Sequence, residues 1–62
     1  MPYVSIRVAG TLSREQKQKL VQRVTDVIAE ETNKPKGSVL IFIDEESREN
    51  IGSGGVLLDD VK

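Results

Sequence analysis

The chain has neither cysteine nor histidine among its 62 residues. Without cysteine there are no disulfides and no thiol nucleophile. Without both, the usual zinc sites and the His-centred triads cannot be built. Tryptophan is absent as well, and Tyr3 and Phe42 are the whole aromatic content. Two rings do not make a base-stacking platform. Neither sign of charge dominates, since nine basic and ten acidic residues leave a net charge of −1. A nucleic-acid surface would show a clustered basic excess. No apolar run approaches a membrane span. The N-terminus lacks the charged segment and apolar core of a secretion signal. The expectation is a soluble cytoplasmic protein with no metal, no cofactor, no nucleic-acid partner and no membrane partner.

Length sets the next constraint. The chain has room for one small domain, expected over residues 1–62 without a linker. So short a chain buries a modest share of its surface and is marginal alone. Small scaffolds are stapled by disulfides, metals or partner subunits. With the first two excluded, self-association is the expected source of stability.

What is present divides into four stretches. In "PYVSIRVAG", Val4, Ile6 and Val8 alternate with Tyr3, Ser5 and Arg7. A period of two predicts a strand ending near Gly10. "SREQKQKLVQRVTDVIAEETNKP" predicts a helix from about Arg14 to Thr32. Ser13 is a good N-cap, and Gln16 three residues on offers a capping box. Leu20, Val21, Val24, Val27 and Ile28 form a narrow apolar stripe on one helical face. Asn33 suits a left-handed C-cap, and Pro35 blocks continuation.

Residues 39–43, "VLIFI", form an unbroken apolar run bounded by Gly37 and the pair Asp44–Glu45. That pattern predicts a strand buried on both faces. One helix covers one face of a sheet, so the other needs a cover from outside the chain. Two strands alone make an inadequate sheet, which again points to pairing between copies. Asp44, Glu45, Glu46 and Glu49 read as a solvated acidic loop after this strand. Gly52, Gly54 and Gly55 predict a tight turn, and Val56, Leu57 and Leu58 a short strand or a contact with a neighbour. Strand, helix and strand in this order form a βαβ unit with parallel strands and a right-handed crossover. The fold class is α/β: a short β-α-β protomer with a C-terminal hairpin.

The chemistry narrows to a few groups. "GSGG" lacks the Gly-Lys-Ser/Thr ending of a phosphate loop. Arg7, on a strand, suits either an anionic substrate or a salt bridge. Pro2 is the candidate base. Removal of Met1 would turn its nitrogen from an amide into a secondary amine. An α-amino group titrates near ~8, and an apolar pocket lowers that value. Such an amine serves as a general base near neutral pH without any histidine. A structural role, as a stiff first residue, is the other reading of Pro2.

Taken together, Met-Pro at the head of the first strand, the Ser-capped "REQKQKLVQRVTDVI", Pro35, "SVLIFIDE" and "ENIGSGG" resemble the 4-oxalocrotonate tautomerase family. The resemblance covers essentially the whole chain and is nearest to a divergent, DmpI-like branch. It implies protomers paired into four-stranded sheets, and three dimers in a homohexamer with sheets facing inward. It implies a keto–enol or allylic proton transfer on a small 2-oxo acid, with Pro2 as catalytic base. It also marks three departures. Well-known members have an arginine before the helix, where this chain has Leu12. They have a second in the second strand, where it has Leu40. They have an aromatic residue before the glycine cluster, where it has Ile51. Losing two cations removes charge-assisted bonds to a dicarboxylate and stabilisation of the enolate. Arg7, Lys36 and Arg48 are candidate replacements from a neighbouring subunit. Leu40, Ile51 and Arg7 are the expected pocket residues beside Pro2. The alternative is a family-fold homo-oligomer without catalysis. Dehalogenation or decarboxylation, also found in the superfamily, generally needs arginines and an activating carboxylate, for which the chain has no evident equivalent.

Overall fold

Alternation builds the first strand as expected. In the computed structural model, which describes residues 1–60, β1 runs Tyr3–Ala9 with every second residue exposed. The 62-residue reading of the domain thus extends two residues beyond those described. Helix α1 spans Arg14–Thr32, and its ends follow the capping chemistry. The Ser13 hydroxyl accepts from the Gln16 N–H at 3.1 Å, and the Ser13 N–H donates to the Gln16 side chain at 2.9 Å. Asn33 closes the helix in the left-handed region, at φ 57°. An alanine at an N-cap costs about 1 kcal/mol. Ser13→Ala is therefore expected to lower the melting temperature by about 4–8 °C, the response of a domain this small. An unchanged melting curve would show that the box contributes nothing.

A short 3-10 turn at Lys36–Ser38 leads into β2, Leu40–Glu46. β2 pairs parallel with β1, matching Tyr3 to Leu40, Ile6 to Ile43 and Ala9 to Glu46. The crossover through α1 is the βαβ unit the sequence predicts. The helix covers the face carrying Val4, Ile6, Val8, Ile41 and Ile43. Val27 lies beyond the edge of the helical stripe and is exposed.

One expectation for β2 is corrected. It starts and ends later than residues 39–43, and Asp44, Glu45 and Glu46 belong to the strand rather than to a loop. Asp44 lies 3.8 Å from Arg7 on one face, and Glu45 pairs with Lys17 of α1 on the other. As the single helix leads one to expect, β2 is covered on one face within the protomer. Its far face is open, with Tyr3 69% and Phe42 55% exposed and Leu40 exposed beside them. The rings of Tyr3 and Phe42 meet edge to face, their centroids 6.4 Å apart. Among the described residues only Ala29 and Val39 are buried. This thin core has the form anticipated for a protomer that needs copies of itself.

After a second 3-10 turn at Arg48–Asn50, strands β3 (Gly52–Ser53) and β4 (Val56–Leu57) pair antiparallel. The two residues between them are Gly54 and Gly55, at φ 61° and 88°. Two successive positive φ angles define the turn that matches hairpin twist, and glycine enters it without steric cost. No described helix is long and apolar enough to cross a membrane.

Candidate active site

Pro2 lies half-buried at the head of β1. Its carbonyl accepts the Leu40 N–H at 3.0 Å, one position before the register pair of Tyr3 and Leu40. Met1 precedes it and is 72% exposed. With Met1 attached, the Pro2 nitrogen is a tertiary amide with no proton to exchange. That nitrogen becomes an amine only when the exposed methionine is removed.

The other two expected pocket residues lie elsewhere. Arg7 and Ile51 line an open cleft of about 490 Å³, together with Val8, Ala9, Glu46 and Asn50. The cleft sits past the carboxyl ends of β1 and β2, where parallel sheets commonly receive ligands. Ile51 reaches it because the 3-10 turn at Arg48–Asn50 folds the chain back after β2. The Ile51 carbonyl then accepts the Leu58 N–H at 2.8 Å, which ties the turn to the hairpin. Pro2 and Arg7 are five positions apart, roughly 16 Å along the strand. One protomer thus carries two half-sites, Pro2 with Leu40 at one end of the sheet and Arg7 with Ile51 at the other.

No role for a clasp at the start of α1 was evident in the sequence. Glu45 accepts the Leu12 N–H at 2.9 Å and pairs with Lys17. The clasp fixes the β1–α1 loop, and with it Leu12, onto the strand. The signal for it is weak: an acid in the alternation of β2 and a basic residue one turn into α1. The Lys17 hydrogen bond, then the Leu12 N–H, hold the Glu45 carboxyl below its ordinary value of 4.5. A depressed carboxylate stabilises the fold above the ordinary value, and that contribution is lost as pH falls through the folded-state value. Glu45→Gln is expected to lower stability at pH 7 and to flatten the loss of stability below pH ~4.5. Denaturant midpoints measured from pH 3 to 7 test this. Parallel curves for the two proteins would remove the clasp from the account.

Among the described residues, no three or more His, Cys, Asp or Glu gather as a metal-binding group.

Comparison with known proteins gives one answer. The family profile described as Tautomerase enzyme matches residues 2–61. A 2-hydroxymuconate tautomerase of Bacillus subtilis is 31% identical over 62 residues, covering all of both chains. The crystal structure of DmpI from Helicobacter pylori superposes with a TM-score of 0.83 at 33% identity, covering 94% of this chain and 91% of that one. YwhB, a homologue of 4-oxalocrotonate tautomerase, superposes with a TM-score of 0.91 at 30% identity, covering 98% of this chain and all of the other. The resemblance carried by Met-Pro, the capped helix and the glycine turn is thereby met along nearly the full length, and the chain belongs to the tautomerase family.

Proposed function

We propose that residues 1–62 form one tautomerase domain that moves a proton within a small enolisable 2-oxo acid, with the Pro2 nitrogen as base. The observation that carries this reading is the place of Pro2 at the head of β1 behind an exposed Met1, in a chain without histidine or cysteine. Once Met1 is removed, the ring nitrogen takes the proton from the enol hydroxyl. The electron pair of that O–H bond forms the carbonyl, and the carbon–carbon π pair moves to C3. The protonated nitrogen then delivers the proton to C3. Nothing is oxidised or reduced, and the amine is regenerated.

The two half-sites explain why copies are needed. β1 has one edge paired with β2 and one unpaired edge. An antiparallel pairing of two β1 edges about their centres brings Pro2 of each copy beside Ala9 and Gly10 of the other, where the cleft opens. The open face with Tyr3, Leu40 and Phe42 supplies the further contacts of a homohexamer, arranged as a trimer of dimers. Apolar Leu40 and Ile51 on either side of the nitrogen favour its uncharged, basic form by desolvation.

The second reading, an assembly without catalysis, is favoured by the neutral residues Leu12 and Leu40. One assay separates the two. Met1-free protein is expected to speed the enol-to-keto conversion of phenylenolpyruvate, and protein that retains Met1 is expected to leave it at the solvent rate. Equal, uncatalysed rates for both would favour the inactive assembly.

A further inference from the structure

We propose that Arg7 receives the substrate's carboxylate, and that its cleft selects an acid with one carboxylate and an apolar tail. The inference rests on the tautomerase reading for the reaction; its binding claim stands on the cleft itself. The sequence leaves three cations open, and the structure separates them. Lys36 Nζ lies 2.9 Å from Asp26 Oδ1, so its charge is already taken by a carboxylate. Arg48 lines a different depression, with Gly10, Thr11 and Glu45. Arg7 is the one cation lining the Ile51 cleft among the described residues.

In the protomer the Arg7 side chain is 75% exposed, and its Nε is 3.8 Å from Asp44 Oδ2. That distance is longer than a hydrogen bond, and an exposed pair of this kind is weak. A substrate carboxylate can take both prongs of the guanidinium in charge-assisted bonds, which Asp44 at this distance does not. The rest of the lining sets the limit to one carboxylate. Glu46 lies in the same cleft and Ile51 forms an apolar wall. A second carboxylate would meet the first with repulsion and the second with desolvation, so discrimination arises from what the cleft refuses. The apolar tail is placed against Ile51.

The test is equilibrium binding of three unreactive probes to Met1-free protein by titration calorimetry: 3-phenylpropanoate, its neutral alcohol 3-phenylpropanol, and the dicarboxylate adipate. The wild type is expected to bind 3-phenylpropanoate about tenfold more tightly than either other probe, the worth of one charge-assisted contact. Arg7→Gln should erase the advantage over the alcohol. Asp44→Asn, which removes the competing carboxylate and leaves Arg7 in place, should tighten 3-phenylpropanoate severalfold. Undiminished binding by Arg7→Gln, binding by Asp44→Asn that is unchanged or weaker, or a wild type indifferent to the carboxylate would each overturn the proposal. Because no probe reacts, these results are independent of Pro2. An active Pro2→Ala variant would refute the base and leave the Arg7 result standing, and the reverse holds equally.

Discussion

Pro2→Ala, prepared free of Met1, is expected to convert phenylenolpyruvate at least about a hundredfold more slowly than the wild type. A positioned acid–base group contributes roughly 10²–10⁴-fold. The alanine variant still ends in an amine, so the expected loss comes from geometry and basicity together. Proline's ring fixes φ and therefore the direction of the nitrogen lone pair. A primary amine on alanine turns freely about its bond to Cα, and small misplacements at a reacting centre cost about a hundredfold. The backbone around position 2 is anchored by the Leu40 N–H bond to the Pro2 carbonyl, which alanine preserves. The fold should therefore survive, and stopped-flow rates at matched concentration give the comparison. Equal rates for the two proteins would remove Pro2 from the mechanism.

The second large effect concerns assembly. Phe42→Glu is expected to reduce the native mass from that of the hexamer to that of a dimer held by its β1 edges, and to lower the melting temperature sharply at micromolar concentration. Phe42 is 55% exposed on the open face and packs edge to face with Tyr3. In an assembly that face is buried, and truncating a buried Phe costs about 3–5 kcal/mol. A carboxylate there adds an unpaired buried charge and stands two residues from Asp44 on the same face. Domains hold only about 5–15 kcal/mol in total. This protomer, with Ala29 and Val39 as its described core, has little to spare. Native mass spectrometry with circular dichroism across a dilution series reads both quantities. A variant that keeps the wild-type mass and melting curve would show that this face is not an interface.

Local chemistry explains which parts of the fold were legible in the sequence. α1 could be read end to end because its signals lie within a turn of its boundaries: Ser13 with Gln16 at the start, Asn33 and Pro35 at the finish. β1 was legible because one face is covered and the other is not, which writes a period of two into Tyr3–Ala9. β2 was misjudged at its end because Asp44, Glu45 and Glu46 look like a stop. Arg7 beside Asp44 and Lys17 beside Glu45 are distant in sequence, so only the fold brings these charges together. The open far face of β2 was legible as well, because one helix covers only one face of a sheet, and the protomer leaves Phe42 and Leu40 exposed there.

The sequence offered candidate residues for a site and not their arrangement. Pro2, Leu40, Arg7 and Ile51 could be named from the sequence. Their division into two pairs follows from the register of β1 against β2 and from the turn that returns Ile51 to the strand ends. Neither is a local property. The same limit applied to choosing among Arg7, Lys36 and Arg48, whose surroundings only the tertiary structure distinguishes. The Glu45–Lys17 clasp escaped notice because its two members, 28 positions apart, meet only after the βαβ crossover has formed.

One spectrum goes directly to the nitrogen itself. In assembled protein carrying ¹⁵N at Pro2 and lacking Met1, the chemical shift of that nitrogen should titrate clearly below the ~8 of an ordinary α-amino group. The pH dependence of turnover should follow the same value. A nitrogen that stays protonated through pH 8, or that shows no titration because the methionine remains attached in active protein, would contradict the account.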